Sequence, residues 1–304
     1  MPEMPEVEGL AQFLREHAVG RAISAVEVGA ISALKTFAPA PAALVGRKVS
    51  DVARHGKWLD LVTVPAGDGA AGDRTEGGGA PGAGELHLVF HLAKAGWLRW
   101  YDEVPRTAVR PGRSPIALRL RLDDGAGFDL TEAGTRKRLA VHVVARPADV
   151  PQVATLGVEP ADLTVERLRE LLAARNQQVK GLLRDQGVIA GIGNAYSDEI
   201  LHAARISPFA LTRSFDDDDV VRLHAAIGEV LAAAVAEASG RPAAELKDAK
   251  RRSMRVHGRA GLPCPVCGDT VREVSFADSS LQYCPTCQTG GKILADRRMS
   301  KLLR

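Results

Sequence analysis

The chain has 304 residues, 45% of them hydrophobic and only 4% aromatic, with a net charge of +3. This length exceeds one typical core and predicts two domains of ordinary size. No apolar run is long enough for a bilayer, and Glu3, Glu6 and Glu8 stand where a signal peptide needs a basic and then an apolar stretch. These features exclude a membrane-spanning or exported class and make the cytoplasm the expected location.

The chain opens Met1-Pro2-Glu3. Removal of Met1, which a small second residue permits, would leave Pro2 as a free secondary amine. An α-amino group titrates near pH ~8, so an appreciable fraction is uncharged and nucleophilic at neutral pH. Such an amine attacks aldehyde-like carbon and yields an iminium, an electron sink. Glu3 and Glu6 supply carboxylates for proton transfer or for stabilising positive charge. Val7, Leu10, Ala11 and Leu14 then recur at helical spacing, which predicts a helix from Pro5 to about Ala18 with Gly20 as its stop.

Strands are expected at Ile23–Val28, within Val49–Val64, at Leu86–Phe90, Trp97–Trp100, Ile116–Leu122 and Phe128–Leu130. Leu118 to Leu122 alternates with arginines, as a half-buried antiparallel strand should. Arg54-His55-Gly56-Lys57 forms a basic patch in which Lys57 is suited to a phosphate. Residues 65–84 are rich in Gly, Ala and Asp and read as a surface insertion; a literal G-x-G-x-x-G at 67–72 has no helix after it and is rejected as a dinucleotide site.

The period changes in the second half. Helices are expected over Val165–Ala174, Val179–Val188, Asn194–Ala204 and Asp217–Ala238, the last opening on the acidic run Asp216–Asp219, which complements a helix dipole. Between the second and third lies Ile189-Ala190-Gly191-Ile192-Gly193-Asn194. Its glycines allow backbone amides to converge on an oxyanion, and a phosphate clamp is the expected use; a tight turn capped by Asn194 is the plainer alternative.

Cys264, Cys267, Cys284 and Cys287 form two C-x-x-C knuckles sixteen residues apart and use every cysteine of the chain. Four thiolates at this spacing fit a structural tetrahedral Zn2+, with a redox dithiol or an iron–sulfur site as alternatives. Residues 270–283 between the knuckles would form a β-hairpin. From Gly240 onward the charge is +7, leaving −4 for the preceding residues. A basic C-terminal segment that includes Arg251, Arg252, Arg255, Arg259, Arg272, Arg297 and Arg298 points to nucleic-acid phosphate.

Taken together, Met1–Glu8, Gly56-Lys57-Trp58-Leu59, residues 179–201 and Cys264–Gln288 resemble, in order, the motifs of the formamidopyrimidine-DNA glycosylase/endonuclease VIII family of base-excision repair enzymes. The resemblance implies an α+β multi-domain protein. It would have an N-terminal β-sandwich with flanking helices (1–150), a helix–two-turn–helix domain (151–258), and a zinc-finger hairpin with a basic tail (259–304). It implies a bifunctional DNA glycosylase and abasic-site lyase acting on damaged DNA, double- or single-stranded, as a monomer in the nucleoid-associated cytoplasm.

On matching positions, Pro2 would be the Schiff-base nucleophile at C1′, followed by β/δ-elimination. Glu3 would assist ring opening, with Glu6 in support. Lys57 would bind phosphate beside the lesion, and Lys180, Asn194 and Arg259 would hold phosphates elsewhere. The chain departs from the family pattern in four places. Ala93-Lys94-Ala95 and Thr131–Arg138 carry no bulky wedge for the void left by a flipped base. Ser279 stands where the zinc hairpin usually has an arginine, which shifts that grip to Arg136 or Arg138. The segment Arg241–Arg255 is short where the oxoguanine-specific branch has a long base-capping loop, a feature that favours the endonuclease VIII-like branch. A non-catalytic zinc-finger DNA-binding or damage-scanning protein is the rival reading.

Overall fold

The computed structural model describes residues 1–66, 84–112, 114–133, 137–276 and 279–295. The chain divides into two units. One comprises residues 1–2, 6–155 and 239–246; the other comprises 3–5, 156–238 and 247–304.

The first unit is built on two four-stranded antiparallel sheets. Helix α1 (Met4–Ala18) comes first and buries Val7, Leu10, Ala11, Leu14 and Ala18 along one stripe. It stops at Gly20, whose φ of +89° suits a residue without Cβ. The strands are β1 (Ile23–Val28), β2 (Arg47–His55), β3 (Trp58–Pro65), β4 (Leu86–His91), β5 (Gly96–Tyr101), β6 (Ile116–Leu122), β7 (Gly127–Glu132) and β8 (Ala140–Val144). They are ordered β1-β6-β7-β5 in one sheet and β2-β3-β4-β8 in the other. Phe90 on β4 meets Phe128 on β7 at 6.1 Å between ring centroids, one contact by which the two sheets share a core.

The six expected strand regions are all strands. The half-exposed face expected for β6 is different: Arg119 is buried, making paired bonds to Asp129 on β7 (2.7 and 2.9 Å) and donating to the carbonyls of Pro105 and Thr107. The segment before β6 thus covers the face that alternation alone assigns to water.

The second unit is helical. After a single turn, α2 (Pro151–Ala154), which belongs to the first unit, come α3 (Val165–Ala174), α4 (Val179–Arg184), α5 (Asn194–Ala203), α6 (Asp217–Ala238) and α7 (Leu246–Ser253). Their core includes Leu168, Leu172, Leu182, Leu183, Ile192, Ile200, Leu201, Leu223 and Ile227. Helix α4 ends at Arg184, four residues before the expected Val188, because the Asp185 carboxylate accepts from the Gly187 amide (3.0 Å) and turns the chain. Asp216 and Asp219 accept from each other's backbone amides (2.7 and 3.4 Å), so the acidic run opens α6 as a reciprocal cap. Strands β9 (Arg272–Ser275) and β10 (Ser280–Tyr283) form the expected hairpin, followed by α8 (Pro285–Thr289). Among the described residues no helix is long and apolar enough to cross a membrane.

Candidate active site and zinc centre

Helix α5 begins at Asn194 without a side-chain cap of its own. The amides of its first turn point instead at Glu3, about 190 residues earlier in the chain. Glu3 Oε2 accepts from Gly193 N (2.6 Å) and Tyr196 N (3.3 Å), and Oε1 from Ala195 N (2.9 Å). Met4 N donates to Gly191 O (3.0 Å), which seats the segment alongside. The oxyanion expected at this turn is therefore a carboxylate of the chain itself, and neither a phosphate nor an Asn194 cap uses these amides. Amides at a helix start and the helix dipole both favour negative charge here. The slot is tight: a Cβ on Gly193 would stand 2.4 Å from Glu3 Cδ, so any larger residue there requires the Glu3 carboxylate to shift.

Lys180, expected to hold phosphate, is buried. Its ammonium bonds Asp198 Oδ1 (2.6 Å), Ser197 Oγ (2.7 Å) and Asn194 O (3.1 Å), which uses its three donors inside the unit. Burial pulls its pKa below the ordinary lysine value, against the opposing pull of Asp198. The other Asp198 oxygen meets His257 Nδ1 at 2.7 Å. Next to it, Glu199 accepts from the amides of Arg255, Val256 and His257 (2.8–2.9 Å). Burial raises the Glu199 pKa although these amides oppose it. Asn194 Nδ2 donates to Ser280 O (2.7 Å) at the start of β10, while its Oδ1 is buried without a partner among the described residues.

The four cysteine sulfurs lie within 4.8 Å of one another, with Cys264–Cys287 at 3.9 Å and Cys267–Cys284 at 3.4 Å. Zn–S bonds of ~2.3 Å in a tetrahedron place sulfurs about 3.8 Å apart, so the set fits zinc. The metal would be held by Cys264, Cys267, Cys284 and Cys287 in a closed, structural site. His202, on the last turn of α5, puts Nε2 3.3 Å from Cys264 Sγ. Burial, with Arg255 and Arg205 nearby, lowers its pKa to about 4, so a neutral ring can donate to the thiolate. Gln288 ties the second knuckle to Ile206 O (2.9 Å) and accepts from Cys284 N (2.9 Å). Arg259 is half-buried, and its Nε has no partner among the described residues.

In the sandwich unit, Pro2 and Glu6 are buried and Met1 is 49% exposed. Lys57 follows Gly56 (φ +55°) in the two-residue turn between β2 and β3, and its side chain is buried. Burial, with the charge of Lys57, pushes His91 down to about 4. Arg54 of the same basic patch is spent on Glu8 (2.9 Å). Arg138 is exposed, its amide donating to Glu132 (2.8 and 3.0 Å), whereas Arg136 lies outside the described residues, as do Arg297, Arg298 and residues 67–72. Ala93 takes a φ of +52° in the loop where the family pattern would put a wedge, and is buried.

Sequence reasoning assigned no role to Asp198, Glu199, His202, Lys250 or His257. On α5 the signal was a set of five polar or charged residues, Asn194, Ser197, Asp198, Glu199 and His202, interspersed with Ala195, Tyr196, Ile200 and Leu201.

The N-terminal region matches the model of the formamidopyrimidine-DNA glycosylase N-terminal domain (residues 1–141). Residues 156–243 match the formamidopyrimidine-DNA glycosylase H2TH domain, and 261–290 the zinc finger found in FPG and IleRS. The formamidopyrimidine-DNA glycosylase of Symbiobacterium thermophilum is 34% identical over 314 residues, covering 98% of this chain and 93% of that protein. The chain belongs to the formamidopyrimidine-DNA glycosylase family. It is accordingly a DNA glycosylase of base-excision repair with a four-cysteine zinc finger. An uncharacterized formamidopyrimidine-DNA glycosylase-like protein of Mycobacterium tuberculosis is 58% identical over 157 residues, 52% of this chain and 99% of that one. Among solved structures, the MutM (Fpg) protein of Thermus thermophilus has a TM-score of 0.74 at 28% identity, over 96% of this chain and 100% of that chain. The Lactococcus lactis enzyme, bound non-covalently to DNA containing an abasic site, shares the fold at a TM-score of 0.75 and 24% identity, over 94% and 99%.

Proposed function

We propose that this glycosylase is also an abasic-site lyase and that Pro2, once Met1 is removed, is its nucleophile. The Pro2 nitrogen attacks C1′ of a damaged nucleotide, the base departs, the C1′–O4′ bond breaks with O4′ taking a proton, and the resulting iminium draws electrons from C2′ as that carbon loses a proton. β-Elimination then expels the 3′ phosphate, and δ-elimination the 5′ phosphate. The observation that carries this reading is the fixing of Glu3, the residue bonded to Pro2, by three amides at the start of α5. A carboxylate held by that many donors is a poor base but a well-placed negative charge. Glu3 therefore stabilises the cationic sugar and iminium, and Glu6 supports proton transfer.

Phosphate contacts are assigned to Lys57, Arg138, Arg136 and Arg259. Lys180 has its donors committed to Asn194, Ser197 and Asp198, and its contribution is to hold Asn194 in place. The DNA partner is damaged duplex or single strand, and the enzyme works as a monomer in the nucleoid-associated cytoplasm. Segment 241–255 ends in the short helix α7 rather than a long capping loop, which supports oxidised pyrimidines and abasic sites, the endonuclease VIII-like range, as substrates.

Borohydride reduction during reaction with an abasic-site oligonucleotide tests the mechanism. A one-to-one covalent adduct is expected, on a chain whose mass lacks Met1. Absence of the adduct in the wild type, or its persistence in Pro2→Gly carrying a blocked N-terminus, refutes Pro2 as nucleophile, and absence leaves a glycosylase without Schiff-base lyase chemistry.

A further inference from the structure

Helix α7 lies in the segment where this chain departs from the family pattern, and it is strongly basic in its second half: Lys250, Arg251 and Arg252. Leu246 and Ala249 are buried at 1% and 2% exposure, so the helix is anchored rather than loose. Lys250 follows Ala249 and turns inward. Its side chain is only 14% exposed; Nζ lies 3.7 Å from Glu3 Oε1 and 4.5 Å above the centroid of the Tyr196 ring. Tyr196 is itself buried and gives its amide to the other Glu3 oxygen. One ammonium therefore bears on both the carboxylate and the residue that helps to cap it.

We propose that Lys250 is a positioning residue for the reaction, holding Glu3 ionised and pressed against the start of α5. The inference rests on the reading of Glu3 as the charge-stabilising carboxylate. An ammonium this close, mostly removed from water, favours the charged form of a carboxylate and resists its rotation out of the slot. The face of Tyr196 fixes the ammonium in turn, as a ring fixes a cation at this distance. Among the described residues, groups that bear on Glu3 from other elements include the three α5 amides and, electrostatically, Lys180 of α4, which is already paired to Asp198. Lys250 is thus a cation in direct reach of Glu3 that takes no part in the Lys180–Asp198 pair.

The experiment is the single-turnover elimination rate on an abasic-site oligonucleotide, measured from pH 5 to 9 for wild type, Lys250→Gln and Lys250→Arg. DNA affinity, zinc content and thermal unfolding are measured on the same samples. Removal of the cation makes ionisation of Glu3 harder, so the acidic limb of the rate profile should move up by about one pH unit in Lys250→Gln, with a rate about tenfold lower near neutrality. Lys250→Arg should restore the limb, and affinity should change by less than about threefold. A Lys250→Gln profile that superimposes on wild type overturns the proposal. So does a loss confined to DNA affinity, which would make Lys250 a phosphate contact. If Lys250→Gln does not fold, Lys250→Arg decides alone, since loss of the wild-type limb with the charge retained also overturns it. Failure of wild type to form a borohydride adduct is a different result, which refutes Pro2 chemistry rather than the role of Lys250.

Discussion

The buried charges of the two units find their partners in opposite ways. In the sandwich, Arg119 pairs with Asp129 ten residues on, and Asp60 is held by His55 and His87, five and twenty-seven residues away. Burial works against ionisation of Asp60, but the two histidine hydrogen bonds outweigh it and hold its pKa below the usual carboxylate value. In the helical unit, Glu3 reaches residues about 190 positions on, Asp198 meets His257 across 59, and His202 meets Cys264 across 62. The sandwich charges lock neighbouring strands together. Those of the helical unit gather distant segments on one helix, α5, with Glu3 at its start and a zinc ligand at its end. The charged groups of the site thus include pairs that join segments 59 to about 190 residues apart, farther than the charged pairs of the sandwich named above.

The largest effect expected from breaking this pattern is at the metal. Cys284→Ser, or a strong chelator, should unfold the hairpin and release zinc, because metal binding to a structural zinc site supplies folding free energy of ~10–16 kcal/mol in comparable small domains. Hydrogen exchange should then show protection lost over 256–290, while β1–β8 stay protected. Retained protection in the hairpin would count against zinc as its organiser. Next comes the framework. Arg119→Met leaves Asp129 buried and uncompensated and should cost about 3–5 kcal/mol in denaturant unfolding, without altering the Glu3 slot.

Acid provides the third comparison, again in the sandwich. The folded His91 takes its proton only near pH 4, whereas an unfolded histidine does so near ~6.5. Stability is therefore full above pH ~6.5 and falls as pH drops from there toward 4, by about 3 kcal/mol from this group. His91→Gln should flatten that part of the stability curve, and an unchanged slope would show that another group controls it. Smallest in free energy is Gly193→Ala. The added methyl must displace the Glu3 carboxylate, and a shift of about 1 Å in a reacting constellation can lower a rate ~100-fold. The measurement is the elimination rate beside an unfolding curve, which should barely move.

Legibility in the sequence followed the same distinction. Strand alternation at Leu118–Leu122, the helical stripe of α1 and the spacing of the four cysteines are local patterns, and each produced the element it implied. The burial of Arg119 was not readable, because alternation does not say that residues 105–107 fold over the outer face. The glycine turn at 191–193 correctly announced converging amides. Its partner was missed because amides at a helix start accept any anion, and no local rule connects Gly193 to Glu3. Lys180 looked like a phosphate ligand for the related reason that a lysine's commitment to Asp198, Ser197 and Asn194 exists only once α4 and α5 are packed. Helix α7 escaped notice because its charged sequence, Leu246 to Ser253, has few apolar positions from which to read a period.

The close approach of Gly193 to Glu3 also bears on how this protein can vary. The two positions share one volume, so a larger residue at 193 can be accepted only with a shorter acid at 3, and neither change is neutral first. A library randomised at both sites should return compatible couples rather than two independent preferences, with Glu paired to Gly far above chance.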